Sequence, residues 1–217
     1  MEFRDVRQLA RRGEDTHTEF KTKVYYPHKI LREIVAFANT KGGYLLIGVA
    51  DNGAIKGVKN PEGEIFELEH SLKKYCSPLP RYQVHRVDVR EGREVVVFEI
   101  EEAPQKPLYL MPKTEVEHRS AYVRLDDKSV QASRELKRIL RDTSRNRQVM
   151  LQIGEHERTL LQYLSEKKRI NIETFAQLTH LPKRIASAIL VKMTLAKVIR
   201  IEPQEGGYDF FVEAGTP

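Results

Sequence analysis

The 217-residue chain is 40% hydrophobic and 31% charged, the balance of an ordinary globular protein and not of a disordered one. Its formal net charge of +6, spread over both halves, points toward a polyanionic partner. The single cysteine, Cys76, excludes an intrachain disulfide and fits a reducing compartment. The N-terminus MEFRDVRQLARRG lacks an apolar signal core and no apolar run reaches membrane-spanning length, so a cytoplasmic protein without membrane association is expected.

Val6 to Arg12 predicts a short leading helix ended by Gly13. His17 to Val24 alternates as a strand, with Phe20, Thr22 and Val24 on one face and Glu19, Lys21 and Lys23 on the other. From Pro27, the spacing of Ile30, Leu31, Ile34, Val35 and Ala38 predicts a helix with one core-facing stripe. Tyr44 to Ala50 is a continuous apolar run bounded by glycines, which predicts a strand buried on both faces. Asp51-Asn52-Gly53 has hairpin-turn chemistry, with Ala54 to Val58 as the return strand. Glu64 to Tyr75 reads as a second amphipathic helix. Tyr82 to Val89 and Glu94 to Ile100 flank Glu91-Gly92 as a hairpin, and His118 to Leu125 is a further alternating strand. Ser133 caps a helix from Arg134 to about Arg147.

Residues 1–142 therefore predict one α+β domain with a mixed sheet, and the polar stretch 143–154 predicts a linker. In residues 155–217 the order is helix (Glu155 to Lys167), helix (Glu173 to Thr179), turn, helix (Pro182 to about Leu195) and hairpin (Val198 to Glu202, Tyr208 to Val212). That layout resembles a small winged-helix domain.

The most distinctive stretch is Ala36 to Gly57, AFANTKGGYLLIGVADNGAIKG. Together with Glu14-x-x-x-x-Glu19-Phe20-Lys21, Ala121-Tyr122-Val123-Arg124 and Ser129 to Ser133, it resembles the Schlafen AlbA-like domain family over about the first two-thirds of the chain. The resemblance implies the fold more firmly than an activity. In Schlafen nucleases a carboxylate triad occupies the positions that are Glu14, Glu19 and Asp51 here, which implies a Mg²⁺ or Mn²⁺ site and endoribonuclease chemistry. Many relatives carry a second acid directly before the aspartate, where this chain has Ala50. Lys21 and Lys23, on the face of Glu19, would then hold phosphates. The residues alone also allow plainer roles: Glu19 as a solvated strand face paired with lysines, and Asp51 as the turn residue.

Arg119, Tyr122 and Arg124 form a second candidate group, a stacking ring beside phosphate-binding guanidinium groups. Asp126-Asp127 follow, where relatives often have a glycine turn. On the third helix of the second domain, Lys183, Arg184, Ser187 and Lys192, with Lys197 and Arg200 near the wing, are candidate DNA contacts. No G-x-x-x-x-G-K-[ST] loop is present, so no ATP site is recognisable. Three functions fit: a nucleic-acid-binding protein (DNA or RNA) with endonuclease activity, a non-catalytic DNA-binding transcriptional regulator, and a protein-assembly module. Schlafen proteins carry two such lobes in one chain, which makes a homodimer of this one-lobed chain an expectation.

Overall fold

The computed structural model describes residues 1–90, 92–111 and 118–215. It divides into two compact units, Met1–Val130 and Gln131–Pro217. The first opens with α1 (Phe3–Arg12), β1 (Thr18–Lys21), α2 (Pro27–Asn39), β2 (Gly43–Ile47) and α3 (Pro61–Tyr75). It continues with β3 (Cys76–Ser77), β4 (Tyr82–Arg90), β5 (Arg93–Ile100), β6 (Tyr109–Leu110), β7 (Tyr122–Leu125) and β8 (Lys128–Gln131). The main sheet has the order β1-β2-β5-β4, with β1 and β2 parallel and the other pairs antiparallel.

The apolar run of β2 is buried on both sides, as its composition predicts. Leu45 and Ile47, with Val96 and Phe98 of β5, face Ile30, Ile34, Leu68 and Leu72 of α2 and α3. Leu46, with Phe20, Val95 and Val97, faces Val6 and Ala10 of α1. Each such fully buried side chain contributes about 1.5–3 kcal/mol.

The helix ends follow their caps. Asn60 accepts a bond from the Gly63 N–H (3.1 Å) and Pro61 occupies the first turn, so α3 starts three residues before the expected Glu64. After α2, the Gly42 N–H donates to Phe37 O (2.9 Å) at φ +74°. A Cβ at Gly42 would also lie 2.5 Å from the Ile100 carbonyl, so the tight exit needs glycine twice over.

Several expected strands are shorter or different. β1 stops at Lys21, and Val24 crosses to the α2–α3 side, opposite to Phe20, with its N–H held by Glu64 Oε2 at 2.7 Å. The stretch after Asp51 forms no return strand and makes only single bridges, Val49 to Ile55 and Val58 to Glu94. The β4–β5 hairpin forms, although Glu91 of its expected turn lies outside the described residues. The strand expected from His118 begins at Tyr122 and hairpins into β8 through Asp126, which takes φ +53°.

The second unit contains α4 (Arg134–Ser144), α5 (Glu155–Lys167), β9 (Arg169–Ile170), α6 (Ile172–Thr179), α7 (Lys183–Leu195), β10 (Ile199–Pro203) and β11 (Asp209–Glu213). A three-stranded antiparallel sheet of order β10-β11-β9 joins the helices around Leu160, Leu164, Phe175, Leu190, Met193 and Phe211. The division falls at Val130/Gln131 and not within 143–154, because α4 belongs here. Ser133 Oγ caps α4 through the Leu136 N–H (2.9 Å) and donates to Asp209 Oδ2 (2.5 Å), and Ser187 Oγ of α7 donates to Glu135 Oε1 (2.7 Å). Among the described residues no helix is long and apolar enough to cross a membrane.

Burial pushes the Asp209 carboxyl from 3.8 up to about 6, against the Ser133 hydroxyl and with help from the Glu135 charge. Between these two values the folded unit keeps a proton that the unfolded chain releases, so stability falls as pH rises through the window. Asp209→Asn removes that dependence. Its thermal unfolding temperature is expected to gain on wild type from about pH 4 to pH 6, by a stability difference on the order of 2–3 kcal/mol. An unchanged difference across that range would refute the buried carboxyl.

Candidate functional site

The site of the first unit is built on α2 and on β7, which lies along it. Asn39, the last residue of α2 and 1% exposed, ties the two together. Its Nδ2 donates to Leu108 O and Tyr122 O (3.0 Å each), and its Oδ1 accepts from the Leu108 N–H (2.7 Å). Thr40 Oγ1 donates to Ala36 O (2.8 Å) and accepts the Arg124 N–H (3.0 Å). The Phe37 ring lies 4.7 Å under the Arg124 guanidinium. The polar and aromatic letters of Phe-Ala-Asn-Thr thus seat one arginine.

Arg124 has a fully buried side chain. Its Nη1 donates to Glu33 Oε2 (2.6 Å), Glu19 Oε2 (3.1 Å) and Ser129 Oγ (3.1 Å), and its Nη2 donates to Asp15 O (2.8 Å). Ser129 Oγ also donates to Glu33 Oε2. The expected surface contact with phosphate is therefore corrected: the guanidinium is spent on two carboxylates and a carbonyl inside the fold. The strand that carries it, β7, packs on α2, where Glu33 meets Arg124 and Arg32 covers the Tyr122 ring.

Glu19 is only 7% exposed, and both its oxygens are engaged, Oε1 by Lys21 Nζ and Oε2 by Arg124. Lys21 Nζ also donates to Phe20 O (2.8 Å). Glu14 and Glu19 can converge because the chain doubles back between Asp15 and Thr18, whose backbones bond each other at 3.1 and 3.4 Å. The turn brings Glu14 Oε1 to the Phe20 N–H at 2.8 Å. Burial raises the Glu14 carboxyl above its usual range, the Phe20 N–H opposes this, and the charges of Glu19 and Asp51 add to it. Asp51 sits exposed on a turn closed by the Gly53 N–H on Ala50 O (2.8 Å), with Gly53 at φ +77° against the Ala10 carbonyl of α1.

Glu33 completes the cluster. Burial raises its carboxyl, the nearby Glu19 charge adds to this, and Ser129 and Arg124 oppose it. Sequence reading missed it; the one local signal is an acid beside the apolar stripe of α2 (Ile30, Ile34). Four acids (Glu14, Glu19, Glu33, Asp51) thus share one neighbourhood with two cations. Among the described residues, however, no three Asp, Glu, His or Cys side chains are grouped to hold a metal ion. Both Glu19 oxygens are already taken by cations, so a Mg²⁺ or Mn²⁺ ion bound there would have to displace Lys21 or Arg124.

Residues 14–133 match the family described as Schlafen, AlbA_2. The chain belongs to that family. The match takes in every member of the carboxylate–arginine cluster. Among solved structures, this Schlafen AlbA_2 protein is similar to the DIP2311 protein of Corynebacterium diphtheriae, at 21% identity and a TM-score of 0.41. That likeness covers 55% of this chain and 25% of the other, so the chain spans about a quarter of its length. It is also similar to the N-terminal domain of an ATP-dependent DNA helicase RecG-related protein from Nitrosomonas europaea, at 22% identity and a TM-score of 0.42, covering 52% of this chain and 86% of that one. Neither likeness bears on activity.

Outside the cluster, the Schlafen AlbA_2 domain leaves Lys23 exposed, and Arg119 exposed over the Tyr109 ring (4.5 Å). Tyr122 is half-buried beneath the Arg32 guanidinium (5.7 Å). In the C-terminal unit, α7 turns Ser187 and Val191 toward α4 instead of outward, along a groove of about 600 Å³. Lys183 pairs with Glu173 (3.0 Å) and Arg200 with Glu202 (2.8 Å). Arg184 and Lys197 are exposed and Lys192 is half-buried, none with an ion pair among the described residues.

Proposed function

We propose that this chain is a nucleic-acid-binding protein in which Glu19 and Glu33 hold Arg124 in place and do not perform catalysis. The observation that supports this best is the occupation of both Glu19 oxygens, by Lys21 and by the buried Arg124. The net charge of +6 favours a polyanion, and the family is one of nucleic-acid-associated domains. In this reading the C-terminal unit is a winged helix, its helix order and three-stranded sheet being the support, and Arg184 and Lys197 are its free cations for DNA. A transcriptional regulator is the form of the proposal that uses both units. A homodimer belongs to it as well, and a monomeric mass by sedimentation at binding concentrations would remove that part.

A second reading is metal-dependent cleavage of RNA through Glu14, Glu19 and Asp51. What favours it is the raised Glu14 carboxyl, which feels the charges of the other two acids. The two readings separate in one experiment, with labelled transfer RNA, single-stranded RNA and duplex DNA offered in Mg²⁺, in Mn²⁺ and in EDTA. The proposal expects binding that survives EDTA and no cleavage. Affinity should fall on the order of 10³-fold between 50 and 200 mM salt if about six phosphates are contacted. Metal-dependent cutting that disappears in Asp51→Asn would overturn it in favour of the second reading, because Asp51 is exposed and its loss spares the fold.

A further inference from the structure

Two adjacent tyrosines, Tyr25 and Tyr26, stand 68% and 69% exposed on the short connection from β1 to α2. Aromatic rings gain much by burial, so two neighbouring rings left in water are unusual. Their backbone is pinned. Val24 packs into the α2–α3 core with its N–H on Glu64 Oε2 (2.7 Å), and Tyr26 O accepts the Lys29 and Ile30 N–H groups (2.9 and 3.4 Å). Cations flank the pair along the chain: exposed Lys23 precedes it, Lys29 Nζ lies 5.1 Å over the Tyr26 ring, and exposed Arg32, over the Tyr122 ring at 5.7 Å, is one turn further along α2. Tyr26, Lys29 and Arg32 recur every third residue on the outer face of the helix and span about 9 Å. The row ends beside Glu33, whose carboxylate belongs to the Arg124 cluster.

We infer that this face is a stacking platform for single-stranded nucleic acid. Tyr25 and Tyr26 take successive unpaired bases, and Lys23, Lys29 and Arg32 take the phosphates. The inference rests on the nucleic-acid-binding reading and adds the substrate class to it. Base faces inside a duplex are covered by their neighbours, so protruding rings select strands whose bases are free. Of the nearby acids, Glu33 is paired with Arg124, and the single Glu64, bonded to the Val24 N–H, is outnumbered by Lys23, Lys29 and Arg32.

The test is fluorescence anisotropy with a labelled 12-nucleotide RNA, the DNA strand of the same sequence, and the duplex. The wild type is compared with Tyr25→Ala/Tyr26→Ala and Tyr25→Phe/Tyr26→Phe, each checked by thermal unfolding. Loss of two stacked bases predicts about 30-fold or more weaker single-strand binding in the alanine variant, with duplex binding unchanged and the phenylalanine variant near wild type. Preference for the RNA or the DNA strand identifies the source of the bases, and the platform stands with either. Single-strand binding that is unchanged in the alanine variant, or that falls equally for duplex, refutes the platform and leaves the broader reading intact. A wild type that binds none of the three sinks both. The outcome is independent of cleavage, so a binding loss in the alanine variant establishes the platform whether or not the wild type cuts RNA.

Discussion

Replacing Arg124 with alanine is expected to lower the unfolding temperature of the N-terminal unit by on the order of 10 °C, a loss of about 3–5 kcal/mol. The cost arises mainly from what stays behind. Glu19 and Glu33 would remain in the protein interior without the guanidinium that bonds both, and the Asp15 carbonyl would lose its donor. The Glu33 carboxyl, already raised by burial, would rise further once the opposing arginine is gone. In the variant the folded state therefore holds protons that the unfolded chain releases, so the deficit is largest near neutral pH and shrinks as the solution is acidified. Arg124→Lys should fall between, because one ammonium cannot span acceptors on three elements. Calorimetry of Arg124→Ala, Glu33→Gln and the double variant reads the coupling directly, and the double should cost clearly less than the sum of the singles. A loss under about 0.5 kcal/mol, as for an exposed arginine, would refute the buried placement.

Asn39→Ala comes second, with an expected loss of about 3 kcal/mol or more. One side chain supplies both backbone groups of Leu108 and the carbonyl of Tyr122 with partners, and alanine leaves all three without them. Asn39→Asp should be worse at neutral pH, since a carboxylate would face two carbonyl oxygens, and should recover partly in acid, where the group can donate again. Urea unfolding that reports a lowered midpoint at constant slope measures the effect. A midpoint that does not move would mean that the Asn39 bridge contributes nothing.

These two residues show where the sequence was legible and where it was not. The apolar period of α2, the unbroken apolar run of β2 and the β4–β5 hairpin are local signals, and each is where the pattern places it. Asn39 and Thr40 are visible within an unusual string, yet their work is to dock a strand more than eighty residues away. Arg124 on an alternating segment reads as a surface guanidinium for phosphate, because the two acids that pair with it lie at positions 19 and 33. No periodicity encodes that pairing. On a strand of period two, residues five apart such as Glu14 and Glu19 would lie on opposite faces, and only the doubling back at Asp15–Thr18 brings them together. β8 was hidden because Asp126 supplies the left-handed turn residue that glycine usually supplies. The helix α4 was read correctly as a helix but given to the wrong unit, since its anchors, Asp209 and Ser187, lie far along the chain.

Glu14 has a further consequence for how copies of this protein can meet. β1 and β4 are the outer strands of the sheet, and an outer strand with free N–H groups invites another chain to continue the ladder. At β1 the outward Phe20 N–H is taken by the protein's own Glu14 carboxylate, which closes that side to a partner strand. At β4 the ladder with β5 is irregular only between Asp88 and Arg90, beside the hairpin turn, and from Tyr82 to Asp88 it runs in regular register. The β1 margin is thus closed to a further strand, so a second copy that continued this sheet would have to do so along β4.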